Sequence, residues 1–227
     1  MHESHALFYI GPLGVTGEIT TMWVIMALLA VFSFIATRNL KERPGKLQNV
    51  AETIVEKLVN YYTSILGRKH TLRYFPLLGT LFIFIIVCNF SGLFPGAGVL
   101  RGFMPPTSSL SVTAGFSLVV FIGLQMAAFR ELGVKGFFTR FLKPVFFMLP
   151  FLLIDEFVRP MSLALRLYGN IYGEETVTAQ LYGILPVGAP LLMMVLSLLF
   201  CTIQAVVFTM LTSIYLEEVT AHDIEVR

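Results

Sequence analysis

Arg166 stands in the stretch RPMSLALRLYGNIYGEE, residues 159–175, with apolar neighbours on both sides and Glu174 and Glu175 shortly after it. A guanidinium stays charged at any working pH, so an apolar run that holds one needs a counter-ion. Helical contact spacing puts Ser162, Leu163, Gly169 and Asn170 beside it. None of these is a carboxylate, so the anion must come from another helix or another chain. At 100° per residue, Asp155 and Arg159 fall within about 20° of Arg166, and Asn170 within about 40°. The four line one stripe over ~22 Å of rise. Glu175 points to the opposite face, and Glu174 lies between.

Along the segment, Asp155 and Glu156 lie toward one end, Arg166 near the middle, and Glu174 and Glu175 toward the other. Ionisable groups at graded depths are what ion translocation across a membrane needs. Blander readings stand beside this one. Asp155 and Arg159 form an i,i+4 pair that can neutralise itself, and Glu174 and Glu175 could be solvated at an interface. Gln204, a lone polar residue in the last apolar run, would also serve as interhelical glue.

The elements that must hold these groups are membrane helices. The chain has 227 residues, of which 56% are hydrophobic and only 13% charged. A soluble domain carries about 25% charged residues, so this chain lacks the polar surface to coat a soluble globule. The net charge of +2 gives no reason to expect nucleic acid. Cys88 and Cys201 sit in separate apolar runs without supporting ligands and read as small buried hydrophobes. Nucleotide, dinucleotide, zinc-protease and serine-hydrolase motifs are all missing, so no catalytic site, cofactor or metal is expected. The first 18 residues hold His2, Glu3, His5 and Glu18 but no Lys or Arg, which argues against a cleaved signal.

The fold expected is all-α: about five membrane helices plus one amphipathic surface helix, in a single membrane domain. Residues 1–18 form an outer N-terminal segment and 19–37 a first span. Residues 48–66 repeat Val50, Ile54, Leu58, Tyr61 and Ile65 on one face, with Gly67 as a stop. That helix is too polar to span and reads as lying along the membrane surface, although a helix packed on a partner subunit would read the same way. Residues 74–94 and 110–129 make a membrane hairpin joined by a Gly/Pro-rich loop. Residues 144–182 and 188–218 make a second hairpin, long enough to require tilt. Connections 38–46, 68–73 and 130–143 are rich in Lys and Arg, while 95–109 has only Arg101. The positive-inside rule then puts the N-terminus outside and the C-terminus in the cytoplasm, which suits a bacterial inner membrane.

SLALRLYGNIYGEE resembles the signature of subunit a of F-type ATP synthases, approximately S-L-x-L-R-L-F-G-N-M-x-A-G-E. IQAVVFTMLTSIYL (203–216) is similar to that family's last-helix pattern I-Q-A-x-I-F-x-x-L-x-x-x-Y-L. The resemblance implies that Arg166 is the essential arginine, Asn170 the asparagine and Glu175 the outer-channel glutamate. It implies that Gln204 faces the arginine and that Tyr215 is the late tyrosine. Glu174 replaces a glycine of the family pattern, and Ser197 stands where some members carry histidine. Either Glu174 or Glu175 could therefore relay ions from outside. Expected partners are a ring of c subunits whose carboxylates answer Arg166, peripheral-stalk b subunits, the soluble catalytic head, lipid, and H+ or Na+. Asp155 and Glu156 then belong to the inner half-channel. Two rivals remain open: a secondary transporter or channel binding an anionic substrate at Arg166, and a membrane scaffold whose charges serve subunit contacts.

Overall fold

The computed structural model describes residues 8–10, 13–38, 45–93, 104–142, 149–184 and 188–225. The expected connections at Lys41, Arg43, Arg101 and Lys143 lie outside them. Among the described residues, five long helices follow a short antiparallel hairpin of β1 (Phe8–Ile10) and β2 (Leu13–Val15), in which Tyr9 pairs with Gly14. That hairpin occupies the expected N-terminal segment and is the one departure from an all-helical chain among the described residues.

The helices are α1 (Gly17–Thr37), α2 (Lys46–Ser91), α3 (Leu110–Leu142), α4 (Leu149–Ile184) and α5 (Gly188–Glu225). A turn of 3-10 helix (Pro106–Ser108) precedes α3. Among the described residues, four stretches are long and apolar enough to cross a membrane: 17–37, 48–91, 110–134 and 192–220. The fifth helix, α4, carries six charges and falls outside that group. At 36 and 38 residues, α4 and α5 are ~54 and ~57 Å long. A ~30 Å hydrocarbon layer accommodates such lengths by tilt.

Gly67 divides α2. Its φ of 73° and ψ of 156° lie in a region open essentially to glycine alone, and the helix resumes at once on its far side. The second part of α2 therefore begins at Arg68, not at Tyr74 as the basic run suggests. Gly133 breaks α3 in the same way, with φ 66° and ψ 174°. In the first part of α2 the buried face is Leu58, Tyr62 and Leu66, while Val50 and Ile54 are exposed. The apolar face expected from spacing is thus only partly used by this chain.

The core lies where α2 and α3 pack on α5 and α4. Leu78, Ile85 and Cys88 of α2 meet Ala205, Phe208 and Leu216 of α5, and Val120 and Leu124 of α3 join Leu163 and Leu167 of α4. Burial of Cys88 and Cys201 as free thiols agrees with their reading as small hydrophobes. Outside this core the surface is greasy: Leu28, Phe34, Phe157 and Val195 are all exposed. Such a surface is stable against lipid rather than water. The helix α1 is peripheral, burying Gly17, Thr21 and Ile25 and little else.

Candidate functional site

Helices α4 and α5 run antiparallel, and three side-chain contacts tie them like rungs. Near one end, Arg159 holds two carboxylates: Asp155 accepts at 2.6 and 3.0 Å, and Glu218 of α5 at 2.7 and 3.0 Å. The Arg159 guanidinium also lies over the Tyr215 ring, 4.9 Å from its centre, a cation–π geometry. In the middle, Asn170 Nδ2 donates to Gln204 Oε1 at 2.6 Å. Toward the other end, Ser197 Oγ donates to Glu174 Oε1. The rungs follow from sequence: Ser197, Gln204 and Glu218 recur at intervals of seven and fourteen on the α5 side that meets α4, while Leu163, Leu167 and Ile171 bury α4 against its neighbours.

Arg166 lies between the first two rungs and joins neither. It is exposed, and among the described residues it has no ion pair or hydrogen bond. The two arginines of α4 therefore differ in kind. Arg159 is saturated from within the chain, whereas Arg166 is exposed on a helix whose outward surface also carries exposed Leu165 and Met161. Desolvating a charge of that sort demands an anion.

The predicted stripe of Asp155, Arg159, Arg166 and Asn170 is present on the helix but not continuous in use, because α5 engages both its ends. Glu156 turns away toward α3, where Gln125 Nε2 donates to it at 2.6 Å. Glu175 is exposed, within electrostatic reach of Glu174 and of Glu18 at the start of α1. Gln204 is 2% exposed; its Oε1 is bonded and its Nε2 is buried without a partner. The hydroxyls scattered along α5 are spent locally: Thr209, Thr212 and Ser213 donate to carbonyls three or four residues back. They offer no continuous polar path of their own.

Sequence reasoning missed Glu218 and Gln125. Glu218 was visible as one of two carboxylates ending the last apolar run, and folding 144–182 against 188–218 as a hairpin would have aimed it at Arg159. Gln125 was a lone amide in the third span, the same signal that drew attention to Gln204. A further contact closes the α2–α3 hairpin. Glu131 Oε1 accepts from Arg73 and, at 2.8 Å, from the Tyr74 hydroxyl.

Residues 19–217 match the family model described as ATP synthase A chain. The chain is 40% identical over 210 residues to "ATP synthase subunit a" of Moorella thermoacetica, covering 92% of this chain and 93% of the relative. It is 40% identical over 199 residues to "ATP synthase subunit a 3" of Pelobacter propionicus, covering 86% and 83%. A third relative, "ATP synthase subunit a" of Geotalea daltonii, is 38% identical over 214 residues, covering 91% and 90%.

Proposed function

The chain belongs to the ATP synthase A chain family, a multi-pass membrane component of the F-type enzyme's membrane sector, and from that premise we propose that it forms two offset half-channels worked by Arg166. The observation that carries the proposal is the contrast between Arg159, paired twice within the chain, and Arg166, exposed and unpaired among the described residues. A carboxylate carried past on a ring of c subunits would be the missing anion.

The cycle follows from electrostatics. An ion, H+ or Na+, enters from outside past Glu175, Glu174 and Asn170 and neutralises a ring carboxylate, which can then turn into lipid. After nearly a full rotation the site nears Arg166, whose charge favours the ionised carboxylate, and the ion leaves on the side of Asp155 and Glu156. The same fixed charge repels a cation crossing directly between half-channels in a low-dielectric setting. Each elementary charge moved through ~100 mV supplies about 2.3 kcal/mol, so several serve each ATP made elsewhere in the complex. The chain itself contributes no nucleotide chemistry. Peripheral-stalk b subunits anchor it as stator, with the N-terminus outside a bacterial inner membrane and the C-terminus in the cytoplasm.

ATP-driven proton pumping in membrane vesicles, wild type against Arg166→Ala, tests the reading, with assembly followed in parallel. Pumping lost with assembly intact supports it. Unchanged pumping overturns it and makes Arg166 a structural charge.

A further inference from the structure

Lys69 and Arg73 stand one helical turn apart on α2, just beyond the break at Gly67. Arg73 reaches Glu131 of α3, and Arg130 lies within electrostatic reach of Tyr74. Three cations from two helices thus gather near one carboxylate, and that carboxylate is already taken by Arg73 and the Tyr74 hydroxyl. Lys69 and Arg130 are exposed and have no ion pair among the described residues, and the Arg73 side chain is half exposed. The cluster carries surplus positive charge and has an open side.

Along α3 from Arg130 toward the helix start, the surface changes character. Val119, Ile122 and Met126, eleven, eight and four positions before Arg130, fall within about 80° of its direction. All three are exposed. They form an apolar lane of ~17 Å, about half of a ~30 Å hydrocarbon layer. The lane lies inside the apolar stretch 110–134, with Arg130 near the end of that stretch. A ligand that fits is therefore anionic at one end, at the depth of the membrane interface, and apolar for the rest. A free anion leaves the lane unused, and an uncharged lipid leaves the cations unanswered.

We propose that this corner of α2 and α3 is a binding site for one anionic phospholipid. Lys69, Arg73 and Arg130 hold its phosphate, and one acyl chain lies along Val119, Ile122 and Met126. Basic clusters at the ends of membrane helices attract anionic headgroups. What the fold adds is the Arg73–Glu131 contact, which fixes Arg73 and brings the α3 cation to the same corner. The site requires only that the chain spans a membrane, so it stands apart from the reading of Arg166.

The test uses the assembled complex in phosphatidylcholine vesicles at low salt. The probe is either phosphatidylglycerol or phosphatidylcholine with a diazirine in one acyl chain. After illumination, labelled peptides of this chain are mapped by mass spectrometry. Phosphatidylglycerol should label residues 119–130 in clear preference to phosphatidylcholine. Arg130→Gln and Lys69→Gln should each cut that preference about fivefold, the equivalent of ~1 kcal/mol per cation near the surface. Arg130→Lys should retain it. Lys57→Gln removes an exposed cation on the other side of Gly67 and should leave it unchanged. Equal labelling of the wild type by the two lipids would overturn the inference. So would an absence of labelling at 119–130, which would mean that a partner subunit covers this face. Equal losses from Lys57→Gln and Arg130→Gln would reduce the site to a diffuse surface potential and overturn it too. Inorganic phosphate should compete no better than chloride at the same ionic strength, and displacement of the lipid by phosphate alone would make this a site for free anions instead.

Discussion

Asn170 donates to Gln204 across 2.6 Å, joining α4 to α5 one helical turn beyond Arg166. The bond uses one half of the Gln204 amide and leaves its buried Nε2 without a partner. The amide is thus fixed in orientation yet still has a donor to give, one helical turn from Arg166.

Gln204→Leu should leave the Asn170 amide unpaired at a partly buried contact, at about 1–3 kcal/mol. Thermal unfolding of the purified complex in detergent would read the loss. The double variant with Asn170→Leu should cost less than the two singles combined, because both remove the same bond. Strict additivity would mean the contact contributes nothing.

Arg159→Ala should destabilise the α4–α5 hairpin more than Glu218→Gln does. Removing the arginine discards two ion pairs and the stacking on Tyr215, whereas Glu218→Gln weakens one pair that is half open to solvent. Pairs so exposed contribute ~0.2–1 kcal/mol. A protease-accessibility series on the last helix would rank the two variants, and a larger effect from Glu218→Gln would contradict the geometry.

Gly67→Ala and Gly133→Ala should each cost ~1–3 kcal/mol through backbone strain alone. Nothing lies within 4 Å of a Cβ added at either position, so steric clash is not the cause. Assembly yield would fall at both sites. Gly115→Ala, with open space and a helical backbone, should leave it unchanged or slightly improved.

Glu174→Gln and Glu175→Gln separate the two adjacent carboxylates. Glu174 is held by Ser197, whereas Glu175 is exposed. If Glu174 is the relay, Glu174→Gln should slow ATP-driven pumping and Ser197→Ala should slow it less, since the carboxylate remains. Pumping impaired by Glu175→Gln alone would give the relay role to Glu175.

Much of this arrangement was legible in the sequence. Charge-free runs of sufficient length anticipated the stretches 17–37, 110–134 and 192–220 that are apolar enough to cross a membrane, and the glycine after 48–66 anticipated the break at Gly67. The absence of a carboxylate at contact spacing from Arg166 anticipated its lack of a partner. Less was legible where the answer depended on a neighbour. The i,i+4 pair of Asp155 and Arg159 was foreseen, but the third member, Glu218, lies 59 residues away. Likewise Glu156 faces Gln125 only because α3 packs on α4. On 48–66 the buried residues are Leu58, Tyr62 and Leu66, nearest the break at Gly67, while Val50 and Ile54 are exposed. Periodicity names an apolar face, but it does not say which part of that face the same chain will cover.

The charge on α4 has a consequence for how the chain is made. A translocon admits segments by hydrophobicity and charges ~2.5–3.5 kcal/mol for each central Arg or Asp. By that rule α5 partitions into the bilayer unaided, while α4, synthesised before it, does not. The expected order is that the nascent α4 waits at the interface until α5 emerges. The two then enter together, with the Arg159–Glu218 and Asn170–Gln204 contacts already shielding the polar side from lipid. The rungs that join α4 to α5 in the finished subunit would thus also license its least hydrophobic helix to enter the membrane.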